Sequence, residues 1–399
     1  MANYLNELGI AGADQAEVIQ LFLAYYSTGK FTNDRDATFG RVQDETALVV
    51  KCNAAGAITS VAPGPHFQNG DVSALRTKIE QDLLTPGPVQ ITRQILFSQA
   101  KTEGFYKSEG QFQIMAVPAD SPQPKYSCSD YPSVLEVAFT SSADFGQNVT
   151  RGARALSRIE LTLIPLLPAL VRMQATHGGR VWTQGPSETA FWRQEYDQVG
   201  YIVPGGPQEA FSDIAGLSPM AVVPYQEFYK DHQHRYNTFK VPDSLETSLG
   251  KIARLSPENH EKYLRAAYWL RQAGLAGPFG NSPSFVALVS AVEALMGAPV
   301  RTGTCESCSQ PISIGNTALF RNFIDAHTSA DTVPTKLKNE FYNMRSNVAH
   351  GGSVFRADLE GRGMTLRGSY EQHRFMTLHD LVRIVVYNWL QNVGSREIW

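Results

Sequence analysis

The sequence lacks any apolar run long enough to cross a bilayer. Its most apolar stretch, LTLIPLLPALV (161–171), falls far short of the roughly 20 residues a span needs, and Pro165 and Pro168 interrupt it. The opening residues, MANYLNELGIAGADQ, show no basic stretch leading into an apolar core, so no secretory signal is expected. Cysteine is scarce, with 4 in 399 residues, which excludes a disulfide-stapled secreted scaffold. No internal repeat or low-complexity tract stands out. A phosphate-binding loop, a dinucleotide fingerprint and a nucleophile elbow are all missing, which removes the commonest nucleotide-dependent and serine-hydrolase architectures. With a net charge of -3 the chain is not a uniformly basic nucleic-acid coat. These absences together predict a soluble, cytoplasmic protein with no membrane partner.

What is present is the composition of a folded protein, 43% apolar and 10% aromatic, with length for two or three domains. The charge is unevenly spread. Residues 251–399 carry 16 Lys and Arg against 12 Asp and Glu, a balance of +4, and residues 1–250 carry 19 against 26, a balance of -7. That asymmetry fits an anionic ligand at the C-terminal end only.

The pattern predicts an α+β chain: a mixed α/β domain over residues 1–245, then an all-α bundle over 246–399. A helix is expected over 14–26, where Val18, Leu21, Phe22 and Tyr25 recur at helical spacing. TALVVKC, FQIMAVP and VLEVAFT, within 46–140, are short β-branched and aromatic runs between turn-forming clusters and read as strands. A helix is expected over 155–174, and 176–245 reads as irregular. The segment KVPDSLETSLGKIARLSPENH, from Lys240, has the composition of a linker leading into a helix. Beyond it Ser256 and Pro257 cap a helix to Ala273. Further helices are expected over 283–296, 314–326, 334–350 and 377–392, and Gly351 and Gly352 can supply a left-handed cap to the fourth. Short connections make these helices a bundle.

On a wheel of about 100° per residue, Arg345 falls in the apolar sector of that fourth helix, among Phe341, Tyr342, Met344, Val348 and Ala349. Asn343, Ser346, Asn347 and His350 gather on the other side. A buried arginine needs a partner, and Glu293 is the one charge in the otherwise apolar helix over 283–296. The wheel alone supports two readings. Arg345 and Glu293 form a structural ion pair with His350 as an ordinary helix-end histidine, or the three build a site.

The segment YNMRSNVAHGG resembles the signature of HEPN domains, an Arg followed after four to six residues by His. The closest likeness is to the Apea-like branch, whose motif ends in His-Gly. That branch carries an upstream apolar helix with a core similar to AVEALMG (291–297). The resemblance covers about residues 254–395 and leaves the N-terminal domain untouched. It implies a metal-independent RNA endonuclease, needing no cofactor, that uses the 2′-hydroxyl of its RNA as nucleophile. His350 would serve as general base or acid, Arg345 would neutralise the scissile phosphate and Glu293 would orient Arg345. Ser346 and Asn347 either orient His350 and touch the ribose or form a plain polar face. Arg345 and His350 stand about 140° apart and roughly 7.5 Å along one helix. A homodimer pooling two motifs in one cleft is therefore expected, as is common in the family. Stress- or phage-triggered defence is the usual setting, with the N-terminal domain sensing an unidentified ligand or trigger. The alternative the resemblance leaves open is a non-catalytic HEPN protein that binds RNA or dimerises. Two positions depart from the family pattern. Many HEPN nucleases have Asn, Asp or His after the Arg, where this chain has Ser346. Toxin-type members extend the motif to a Tyr, where this chain has Ser353, so modification of that tyrosine by a partner is not expected.

Other candidates are weaker. Cys305 and Cys308, in TCESCSQPI, have the spacing of half a zinc ribbon. They either hold a structural zinc, completed by His327 or a dimer mate's cysteines, or form a reduced knuckle. A zinc-dependent interaction module is the third functional reading. Cys52 and Cys128 are distant in sequence. His232 and His234 form an HxH with no third ligand beside it and read as a solvated loop. Arg356, Arg362, Arg367 and Arg374 either track an RNA backbone or decorate a loop.

Overall fold

The computed structural model describes residues 3–10, 13–33, 35–54, 57–98, 100–118, 131–167, 170–171, 206–230, 238–276, 280–297, 301–304, 307, 311–328, 333–360 and 365–393. Cys128, His232, His234, Cys305, Cys308 and Arg362 lie outside them. The chain divides into two compact units. The first comprises Met1–Thr92, Val137–Leu156 and Gly205–Ser212, and the second comprises Arg93–Glu136, Ser157–Pro204 and Asp213–Trp399.

In the first unit, α1 (Gln15–Tyr26) starts at Asp14, whose carboxylate accepts from the Ala16 and Glu17 N–H groups at 3.0 and 3.1 Å. Ser27, with φ 67°, ends it and turns the chain into β1 (Thr28–Phe31). An antiparallel meander follows through β2 (Asp36–Gly40), β3 (Leu48–Cys52) and β4 (Ile58–Pro63). Val18, Leu21, Phe22 and Tyr26 of α1 share one buried core with Phe39, Leu48, Val50 and Val61. Next, α2 (Asp71–Lys78) runs into a π-helical turn over Ile79–Leu84 and adds Leu75 and Ile79 to that core.

The division into units passes through β5 (Val89–Ser98), ahead of β6 (Phe105–Ser108) and β7 (Phe112–Ala116), and through β8 (Tyr131–Thr140) and α3 (Phe145–Leu163). With β9 (Leu170–Val171) these strands make a five-stranded sheet in the order β6-β7-β8-β5-β9. The expected helix over 155–174 is therefore displaced. It begins ten residues earlier, where Asp144 accepts from the Gln147 N–H at 2.9 Å, and ends before Pro165. Its early turns bury polar side chains, Gln147 and Asn148, so they carry no apolar periodicity to read.

In the second unit, β10 (Val222–Val223) and β11 (Val241–Pro242) pair in parallel on either side of α4 (Tyr225–Lys230) in sequence. Helices then dominate. The stretch read as a linker contains α5 (Leu245–Ala253), which buries Leu245, Ser248, Leu249 and Ile252. Its apolar stripe is only three residues long, too short to stand out of a polar segment. Ser256 begins α6 (Pro257–Ala276) as expected, its hydroxyl accepting from the Asn259 N–H at 3.3 Å. α7 (Asn281–Leu295) is buried on nearly every side. The short hairpin of β12 (Arg301–Thr304) and β13 (Pro311–Ser313) precedes α8 (Asn316–His327), α9 (Thr335–Ala349), α10 (Arg356–Glu360) and α11 (Leu366–Asn392). The last helix starts eleven residues before the expected position, with the Thr365 hydroxyl accepting from the Gly368 N–H at 3.0 Å. The architecture is α+β, sheets in the N-terminal part and helices beyond. Among the described residues no helix is long and apolar enough to cross a membrane.

Candidate functional site at the end of helix α9

Helix α9 ends where its sequence turns to Val-Ala-His-Gly-Gly. His350 is the capping residue, and Gly351, at φ +73°, adopts the left-handed conformation. The Gly351 N–H reaches the Val348 carbonyl at 3.1 Å and the Gly352 N–H reaches the Asn347 carbonyl at 2.8 Å. This crossed pair of bonds is a Schellman closure, and it fixes where the helix stops. His350 is left exposed on the final turn, and its side chain has no hydrogen-bond partner among the described residues. Asn343 and Asn347 are also exposed and Ser346 is half-buried, so the polar strip expected from the wheel is present. Ala349, placed by the wheel near the apolar sector, is exposed.

On the other face Phe341 is fully buried, and Tyr342, Met344, Arg345 and Val348 are half-buried. Arg345 Nη2 donates to Glu293 Oε2 of α7 at 2.8 Å, each side chain being 25% exposed. The two lone charges of two apolar faces therefore meet, as the sequence predicts. Two further groups join them that the sequence reading missed. The Tyr342 phenol has its pKa pushed up by burial and by the Glu293 carboxylate beside it, and Asn316 of α8 acts on the same phenol in the opposite direction. Arg345 Nε is buried and has no hydrogen-bond partner among the described residues.

Lys338 was also missed. Seven residues before Arg345, two helical turns, it lies on the same face. It is fully buried and pairs with Asp325 of α8, so α9 is fastened to α8 and α7 by one cation each.

Of the arginines after the motif, Arg356 lies in α10 and Arg367 and Arg374 lie in α11, and Arg362 is outside the described residues. Asp358 of α10 caps α7, accepting from the Asn281 and Ser282 N–H groups at 2.7 Å each. Arg367 bonds to Glu371 at 3.0 Å, and Arg374 lies 3.4 Å from Glu340 and 4.4 Å from the Tyr370 ring centre. Arg356 donates its backbone N–H to Glu371 at 2.6 Å. The guanidinium groups of Arg367 and Arg374 thus each have a carboxylate beside them.

His327 Nδ1 sits 2.9 Å from the Phe323 carbonyl, and burial lowers its pKa. Cys52 is half-buried on β3, and burial, with Asp36 nearby, raises its thiol. Among the described residues no three His, Cys, Asp or Glu groups come together to hold a metal. A cavity of about 460 Å³ is lined by Lys251, Arg254, Ser256, Asn259 and Gln391 among others, none of them a motif residue. A scan against protein-family models and searches of curated proteins and solved structures find no match to this chain.

Proposed function

We propose that the protein is a metal-independent RNA endonuclease whose active groups are Arg345 and His350. The observation that carries this reading is one helix end on which two chemistries coexist. An arginine is held by a single bond to Glu293, and an exposed histidine stands at the closing turn. The likeness of RSNVAHGG to the HEPN motif supplies the reaction class. In that reaction the RNA 2′-oxygen attacks the adjacent phosphorus, the P–O5′ bond breaks, and a 2′,3′-cyclic phosphate and a 5′-hydroxyl result. One imidazole takes the 2′-hydroxyl proton and another protonates the leaving O5′. Arg345 neutralises the pentacoordinate phosphate through its remaining N–H groups. Two copies of the chain about a two-fold axis would bring two histidines to one phosphate, so the active form is a homodimer. Glu293 and Tyr342 position Arg345, and Ser346 and Asn347 flank His350. The N-terminal domain senses the trigger.

A non-catalytic bundle that binds RNA is the competing reading, favoured by the fact that Arg345 already has a carboxylate partner. Cleavage of total cellular RNA by purified protein in EDTA separates the two. Cutting by wild type, lost in Arg345→Ala and in His350→Ala with unchanged circular dichroism, is the expected result. RNA bound by all three but cut by none would establish the binder.

A further inference from the structure

The end of α5, the start of α6 and the end of α11 border the open cavity of about 460 Å³. Small-molecule sites occupy roughly 300–1,000 Å³, so the space is that of an organic ligand and not of a single ion. Among the described residues its lining carries two cations, Lys251 and Arg254, and no carboxylate. Glu258, the acid nearest in sequence, is 78% exposed and is engaged by Lys262 at 2.7 Å.

Lys251 is fixed without a counter-charge. Its Nζ donates to the Gln391 carbonyl at 3.1 Å and to Gln391 Oε1 at 2.6 Å, and Gln391 Nε2 donates in turn to the Ser248 hydroxyl at 3.1 Å. Neutral acceptors thus hold the ammonium at the end of α11 and leave its charge unbalanced, with one of its three N–H donors uncommitted. One helical turn on, Arg254 lines the same cavity, and its guanidinium has no hydrogen bond or ion pair among the described residues. The Ser256 hydroxyl accepts from the Asn259 N–H at 3.3 Å, so its own proton is left to donate. Two like charges at one cavity repel each other, and a dianion neutralises both.

We propose that this cavity binds a small organic phosphate, a phosphomonoester of about mononucleotide size. Lys251, Arg254 and the Ser256 hydroxyl take the phosphate oxygens. Leu255 and Val393, which also line the space, lie against the organic part, and the Asn259 amide meets its polar edge with a donor and an acceptor. A phosphomonoester carries about two negative charges at neutral pH, which matches two cations, whereas a carboxylate carries one. Inorganic phosphate has the charge but nothing to set against Leu255 and Val393. This site is separate from the Arg345 motif and does not depend on the ribonuclease reading.

The test is isothermal titration calorimetry of the full chain in EDTA at fixed ionic strength, with adenosine 5′-monophosphate, adenosine and inorganic phosphate as probes. The nucleotide is expected to bind wild type, inorganic phosphate to bind more weakly and adenosine to give no signal. Arg254→Gln, a change at an exposed side chain, should melt as wild type does and bind the nucleotide about tenfold more weakly, the worth of one charge-assisted contact. Lys251→Met should weaken binding as well and lower the melting temperature, because its bonds to Gln391 go with it. Arg345→Ala should bind as wild type does. No binding of the nucleotide to wild type, unchanged binding in Arg254→Gln, binding lost in Arg345→Ala, or inorganic phosphate bound as tightly as the nucleotide would each overturn the proposal.

Discussion

Two Arg–Glu pairs, one in each compact unit, join helices in ways that differ instructively. In the first unit Arg151 of α3 forks onto Glu17 of α1, with Nε to Oε1 at 3.0 Å and Nη2 to Oε2 at 2.7 Å. The Ser141 and Leu83 carbonyls, at 2.8 and 3.2 Å, take more of its donors. The side chains are 14% and 8% exposed. In the helical unit Arg345 makes a single bond to Glu293, keeps Nε unmatched, and both partners are 25% exposed. The first arginine is used up in holding two helices together. The second makes a single bond and is more exposed, which suits the proposed phosphate-binding role better than the closed pair of the first unit.

The sharpest way to break this comparison is through activity. His350→Ala should lower RNA cleavage by about 10²–10⁴-fold, the usual worth of a general acid–base group, with no change in urea midpoint beyond a few tenths molar. Next comes Arg151→Ala, which should cost about 3 kcal/mol in urea unfolding, because Glu17 stays buried with only Arg154, 3.4 Å away, left to balance it. Gly351→Ala comes third, at about 1–2 kcal/mol, since an alanine is strained in the left-handed conformation that closes α9. The smallest effect is on the stability of Arg345→Ala, about 1 kcal/mol or less for a partly exposed pair. If Arg345→Ala proves as destabilising as Arg151→Ala, the two pairs are alike and Arg345 is structural.

Much of this was legible in the sequence wherever a single residue type has a single physical use. Asp14, Ser256 and Gly351 mark helix ends because a side-chain acceptor or a left-handed backbone is needed there. The meeting of Arg345 with Glu293 follows from each being the lone charge on an apolar face. Elements whose buried side is polar or short escaped it. α3 buries Gln147 and Asn148, α5 has a stripe of three apolar residues, and α11 opens with Leu-Arg-Gly-Ser, a loop-like composition stabilised by the Thr365 cap. Lys338 escaped because a lysine in a polar segment ordinarily faces water. Only tertiary pairing with Asp325 buries it.

The most direct test of the central claim is the chemistry of the ends left on an RNA oligonucleotide after incubation with wild-type protein in EDTA. The account predicts 2′,3′-cyclic phosphate and 5′-hydroxyl ends, absent when the 2′-hydroxyl at the cut is methylated and absent with His350→Ala. Ends bearing a 3′-hydroxyl and a 5′-phosphate, or cleavage that survives His350→Ala, would contradict it.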